Sequence, residues 1–131
     1  MNDKVKIGNY VFDTLIAITE EEHSNGLMWK KPPTPIMSFP YDKLDIHKFW
    51  MQNTIVPLDI LFCRCGQVID IQKGKPYSID LIGPDEPTDL VIELPEGTAD
   101  KFNITIGSEV SIKYSVPTLS KKIIKKLNFT S

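Results

Sequence analysis

The residues best equipped for chemistry lie in one stretch, Lys48-Phe49-Trp50-Met51-Gln52-Asn53-Thr54-Ile55-Val56-Pro57-Leu58-Asp59-Ile60-Leu61-Phe62. It sets a tryptophan, an Asn-Thr pair and an aspartate among apolar neighbours. A carboxylate is costly to bury without partners, so Asp59 must either be hydrogen-bonded or face an open cleft. Two readings follow. In the first, Asp59 and Asn53 staple the turn around Thr54, bonding backbone groups that lack sheet partners. In the second, Trp50, Asn53, Thr54 and Asp59 line a small polar cleft. An aromatic face stacks on CH surface while amide and carboxylate bond hydroxyls, a mixture suited to a sugar-like or hydroxyl-rich ligand. Glu93, inside Leu90-Val91-Ile92-Glu93-Leu94-Pro95, raises the same question. Alternating on a strand it would face solvent; converging with Asp59 it would complete an acid/base pair for a hydrolase.

Other chemistry is thinner. Cys63 and Cys65 form C-x-C on an expected strand, which sends both thiols to one face. Cysteines two apart join only with backbone distortion, so both are expected free. There is no second cysteine pair, and His23 and His47 are far apart in sequence, so no metal site is expected. No Gly-rich phosphate loop and no G-x-S-x-G occurs, and no cofactor is expected. Arg64 is the sole arginine, which disfavours a site built on Arg clamps. Catalytic residues are therefore left unassigned.

The elements that would position these groups read mainly as strands. Lys4 to Ile7 alternates, Gly8-Asn9 turns, and Tyr10 to Ile18 resumes as one long strand. Thr19-Glu20-Glu21-Glu22 is a capping box opening a short helix over 20–25, which Asn25-Gly26 ends. Lys31 to Pro35 holds three prolines and reads as a stiff connection. Ile36 to Phe39 predicts a brief strand closed by Pro40. Strands are expected over Ile46 to Gln52 and Pro57 to Cys65, then Cys65-Gly66 turns into Gln67 to Gln72. Residues 73–88, with two Gly and three Pro, form a long ordered loop. Leu90 to Leu94 predicts a strand, 97–102 a helix ended by Asn103, and Glu109 to Tyr114 a last core strand. In the tail, Leu119, Ile123 and Leu127 recur at helical spacing with lysines opposite, giving an amphipathic helix over 118–127. Its apolar stripe would dock on the strands, or serve a membrane surface or partner.

Length and charge bound the classes. A chain of 131 residues fits one domain. With Lys+Arg 15 against Asp+Glu 17 it is too balanced for a dedicated nucleic-acid binder. The charge is uneven: residues 117–131 carry four lysines and no acid, leaving −6 on residues 1–116. No apolar run reaches the roughly 20 residues of a membrane helix, and Met1-Asn2-Asp3-Lys4 leads into no signal core. A cytoplasmic or otherwise intracellular location is the expectation, and Asn103-Ile104-Thr105 and Asn128-Phe129-Thr130 then read as chance glycosylation sequons.

Several of these segments resemble the uncharacterised bacterial and archaeal family DUF192. The resemblance is carried by Gly26-Leu27-Met28-Trp29, by Met37 and Phe39, and by Phe49-Trp50-Met51-x-Asn53-Thr54-x-x-Pro57-Leu58-Asp59-Ile60-Leu61-Phe62. Glu93-Leu94-Pro95-Glu96-Gly97-Thr98-Ala99 and Gly107 complete it, over residues 10 to 115. It implies a compact, mainly β domain with short helices and supplies no function. Many relatives look exported or lipid-anchored. This chain departs in a shorter, proline-rich link from Trp29 to Met37, in Lys30 and Lys31 where arginine is common, in Asn103 where glycine is usual, and in its basic tail.

The expected architecture is α+β and mainly β: a small antiparallel barrel or barrel-like sandwich flanked by about three short helices. Residues 1–116 would form the core domain and 117–131 a basic amphipathic tail, read as a docked helix. The expected function is a non-enzymatic binding module for a small hydroxylated ligand, with Trp50, Asn53, Thr54, Asp59 and Glu93 at the site. A hydrolase using Asp59 and Glu93, or an interaction protein acting through its tail or a strand edge, are the alternatives. No nucleic acid and no transmembrane segment is expected.

Overall fold

A computed structural model describes residues 2–129, with side chains as far as residue 124. β1 (Lys4–Ile7) and β2 (Tyr10–Asp13) form the expected hairpin, with Gly8 at φ +59° in its turn. β8 (Val110–Lys113) pairs with the other edge of β1, giving a three-stranded antiparallel sheet. The second sheet holds β3 (Leu15–Ile16), β4 (Met37–Asp45), β5 (Leu58–Arg64), β6 (Gln67–Gly74) and β7 (Thr88–Pro95). Its order is β3-β4-β7-β5-β6, and only β3 and β4 run parallel. A single bridge, Gln67 to Glu109, links the sheets at one corner. Neither sheet closes on itself among the described strands, so of the two expected forms the sandwich is the one adopted.

Three sequence expectations need correcting. The run from Tyr10 to Ile18 is not one strand: it breaks at Thr14, sending β2 to one sheet and β3 to the other. Thr14 keeps its polar groups satisfied at the break, its hydroxyl lying 2.9 Å from that of Ser38. Pro40 does not end β4, which continues to Asp45. It sits past the short pairing with β3 and next to a register shift against β7, where a missing N–H is tolerated. Ile46 to Gln52 is not a strand, since only Phe49 bridges, to Ile82. That segment instead lies across the sheet as a cover, burying Met51 completely. Apolar alternation alone does not separate a cover from a strand.

The helices stand where the sequence places them. α1 (Glu20–Asn25) carries its capping box: the Thr19 hydroxyl accepts the Glu22 N–H at 3.1 Å, and the Glu22 carboxylate accepts the Thr19 N–H at 3.0 Å. α2 (Thr98–Lys101) is followed by Asn103 at φ +53°. α3 (Val116–Phe129) is held by polar ties, Thr118 donating to Asp3 at 2.7 Å and Lys121 meeting Glu22 at 2.6 Å. Leu119 and Ile123 stand about half exposed. Leu127, Lys125, Lys126 and the sequon at 128–130 lie outside the described side chains. Among the described residues no helix is long and apolar enough to cross a membrane.

The large sheet is apolar on both faces, as the nearly unbroken burial of β5 requires. One face presents Leu61, Cys63, Ile92 and Leu94 to Val5, Ile7 and Val110 of the small sheet. The other presents Leu58, Ile60, Phe62, Val91, Met37 and Phe39, covered by Ala17, Leu27, Met51 and Val56. At about 1.5–3 kcal/mol for each fully buried side chain, these two layers supply most of the drive to fold. The second layer is also where the cover leaves a cleft.

Candidate functional site

Asp59 is wholly buried on β5, at 0% exposure, and fully engaged. Its Oδ2 accepts the N–H groups of Gly97 and Ala99, each at 3.0 Å, and its Oδ1 meets the Lys73 ammonium. The carboxylate therefore ties β5 to the start of α2, rather than to the turn around Thr54. Gly97, at φ +91°, gives the backbone the bend that aims both amides at one oxygen. Lys73, half exposed on neighbouring β6, supplies the balancing charge.

Glu93 lies on the adjacent strand and looks the other way. In the β5–β7 register Asp59 pairs with Leu94 and Ile60 with Glu93. Directly opposed residues share a face, so Asp59 belongs to the layer of Leu61 and Leu94, whereas Glu93 belongs to that of Ile60 and Val91. The two carboxylates leave opposite sides of one sheet and form no acid/base pair.

Glu93 faces a cleft of about 330 Å³, between α1, β4 and the segment 46–57. His23, Phe39, Tyr41 and Phe49 wall it, with Trp50 and Thr54 towards the segment. Rings meet edge to face: His23 and Tyr41 at 4.9 Å between centroids, Phe39 and Phe49 at 5.0 Å. Trp50, 44% exposed, has one side open to solvent. Gly26, ending α1 at φ +48°, brings backbone close to the floor: a Cβ there would lie 3.6 Å from Glu93 Oε1 and 3.5 Å from Phe39 Cζ.

The electrostatics of the cleft are set by what does not reach Glu93. The carboxyl is only 4% exposed and accepts no hydrogen bond from a described residue. Burial pushes it up to about 8, so it is mostly protonated at neutral pH. Lys48 lines the same cleft, but its ammonium donates to the Gly83 carbonyl at 2.6 Å and pairs with Asp85 at 2.8 Å. Tyr41 is a near neighbour: burial, and then the charge of Glu93, hold its phenol well above the usual range. His23 is anchored through Nε2, 2.8 Å from the Ala17 carbonyl.

The structure thus brings Trp50, Thr54 and Glu93 to one cleft and places Asp59 elsewhere. Asn53 serves through its backbone, at φ +59°, its carbonyl accepting the Trp29 N–H at 2.8 Å. Thr54 is buried, with its N–H donating to the Met51 carbonyl at 3.0 Å. Sequence reading missed Tyr41, Phe39 and His23 as cleft residues. The signal was the alternation Met37, Phe39, Tyr41, which the presumed stop at Pro40 concealed. The cysteines do not share a face: Cys63 is buried on β5, and Cys65 lies in the turn at φ +50°. Burial, aided by Asp89, pushes the Cys63 thiol up to about 12, so it supplies no thiolate at neutral pH. Among the described residues no group of three or more His, Cys, Asp or Glu could hold a metal ion.

The DUF192 family model, described as Uncharacterized ACR, matches residues 3–112. A crystal structure from Novosphingobium aromaticivorans, of a protein of unknown function, is similar at 30% identity and a TM-score of 0.76. The match covers 82% of this chain and 83% of that one. A second, from Sinorhizobium meliloti and provisionally named as a transcription regulator, has 25% identity and a TM-score of 0.78, covering 84% and 92%. No curated protein matches the chain in sequence. The family match takes in both sheets, both carboxylates and every wall of the cleft, and the chain belongs to DUF192.

Proposed function

We propose that this chain is a small-ligand binding module whose site is the cleft floored by Glu93. The observation that carries this reading is a carboxyl group, 4% exposed and without a hydrogen-bonding partner among the described residues, directed into an aromatic-walled space of about 330 Å³. A carboxyl that takes no hydrogen bond from the described residues but borders a cleft can be completed by what enters the cleft. Polar groups converging beside aromatic walls in one concavity are the ordinary makings of a ligand site. The ligand class is a small molecule whose hydrogen-bond donors reach Glu93 while its body packs against the aromatic walls. Trp50, Thr54 and Glu93 contact it, and Asp59 holds the scaffold.

The hydrolase alternative loses support from the opposed faces of Asp59 and Glu93. Nucleic-acid binding, which the Sinorhizobium meliloti relative's name would suggest, draws no support from a chain with net charge −2 and one arginine. The test is a titration followed by backbone amide NMR, using myo-inositol, glucose and short alkyl alcohols and amines. Saturable shifts gathered on Gly26, Trp50, Thr54 and Glu93 are expected. Shifts confined to other surfaces, or none from any compound, would overturn the reading.

A further inference from the structure

We infer that the ligand of this cleft presents a small organic ammonium group, which the Glu93 carboxylate and the surrounding rings receive together. The inference rests on the reading that the cleft is a ligand site, and names the ligand's chemical class.

Three observations point to a cation rather than a neutral hydroxyl compound. The first is the floor. Glu93 is the acidic group lining the cleft, and the single lysine there, Lys48, is turned to Gly83 and Asp85. A bound ammonium would be its counter-ion. The second is the wall. Phe39, Tyr41, Phe49 and Trp50 line the same cleft as Glu93, and aromatic rings attract cations. A hydroxyl gains little from such walls. The third is shape: Gly26 brings backbone rather than a side chain to the floor, leaving reach to Oε1 for a headgroup about the size of an ammonium.

Binding carries a proton balance. In the free protein Glu93 holds its proton at neutral pH, since burial raises it to about 8. When an ammonium settles beside it, the carboxyl ionises and that proton passes to solvent, so one positive charge enters as one leaves. Affinity for the cation should therefore rise about tenfold per pH unit below about pH 8, and level off above it. The other titratable groups that line the cleft are His23 from α1, Tyr41 from β4 and Lys48 from the segment 46–57, while β5 presents Ile60 opposite Glu93. Tyr41 stays protonated across this range, and the Lys48 ammonium is directed to Gly83 and Asp85.

The experiment compares two probes of one shape, n-butylammonium and n-butanol, titrated into the full chain with amide NMR, with myo-inositol as a polyol control. At about pH 9, n-butylammonium should shift Gly26, Trp50 and Thr54 saturably and bind at least about tenfold more tightly than n-butanol. The advantage should shrink towards parity near about pH 6, and Glu93→Gln should abolish both the advantage and its pH slope. Binding of n-butanol or myo-inositol at the same amides, as tight as the amine at about pH 9, overturns the inference and leaves the ligand site standing. Silence of those amides towards all three probes overturns the inference and the binding reading together. The comparison of probes in the unaltered chain decides the matter even if Glu93→Gln folds poorly.

Discussion

Asp59 and Glu93 sit on neighbouring strands, one step apart in register, and project from opposite faces of the same sheet. That relationship divides the labour between them. One carboxylate is saturated by the Gly97 and Ala99 amides and Lys73, and the other faces a cleft with no such partners. This chain thus holds one acid as a fastener and turns the other towards the cleft.

The fastener predicts a stability series. Asp59→Ala strands two backbone amides at the head of α2 and should cost about 3–5 kcal/mol. Asp59→Asn keeps one acceptor oxygen but turns an amide towards Lys73, and should cost about 1–3 kcal/mol. Lys73→Ala, at a half-exposed position, should cost at most about 1 kcal/mol. Urea denaturation measures all three. A near-silent Asp59→Ala would show that these bonds do not hold the fold.

Glu93 predicts the opposite behaviour, through pH. Its folded pKa, about 8, stands above its ordinary value of 4.5 because burial disfavours the charge. Between those values the folded chain holds a proton that the unfolded chain has lost, so this group's contribution falls as pH rises. It is fully present below about pH 4.5 and gone above about pH 8, a change of a few kcal/mol. Glu93→Gln cannot ionise, so it should be the more stable protein at about pH 9 and close to the parent at about pH 5. Equal slopes for parent and variant over this window would mean that Glu93 is not desolvated.

Much of this was legible in the sequence, and the gaps have physical causes. The hairpin at Gly8-Asn9, the Thr19–Glu22 box and the Asn103 terminator are local devices, written in the residues that form them. That Asp59 needed partners followed from its apolar setting. Which partners was not legible, because Gly97 and Ala99 lie 38 and 40 residues away and register decides who meets whom. The same limit concealed the face of Glu93, since a one-residue slip would have sent it to the other side. Ile46 to Gln52 looked like a strand because covering a sheet and joining it demand the same alternation of apolar residues.

Gly83 should be intolerant of any side chain. At φ +139°, a Cβ there would lie 2.8 Å from the His47 carbonyl oxygen and 3.1 Å from Phe62 Cε1. The close approach lets the loop 75–87 lie against the segment 46–57, where Phe49 and Ile82 exchange N–H bonds at 2.8 and 2.7 Å. Gly83→Ala combines backbone strain with a clash against a carbonyl, and should cost about 2–4 kcal/mol. Because Phe49 walls the cleft, amide shifts in the variant should extend from Gly83 to Phe49 and Trp50. A shift pattern confined to residues 82–84 would separate the loop from the cleft.

Removal of residues 117–131 should leave the two sheets and the cleft intact. The described side chains tie α3 down by the Thr118–Asp3 bond, the Lys121–Glu22 pair and the contact of Lys122 with Tyr114, while Leu119 and Ile123 stay about half exposed. These polar ties together give about 1–3 kcal/mol. Glu22 reports the loss directly. Burial would raise its pKa, but Lys121 and the Thr19 and Ile18 amides outweigh burial and hold it at about 2. Without Lys121 the carboxyl should titrate higher, while the capping box persists through Thr19. A two-dimensional NMR titration of the truncated chain reads that shift, and the Gly26 and Trp50 amides in the same spectra report whether the cleft survives. Should truncation instead unfold the chain, the apolar stripe of α3 belongs to the core, and the helix packs more deeply in solution than its half-exposed leucine and isoleucine imply.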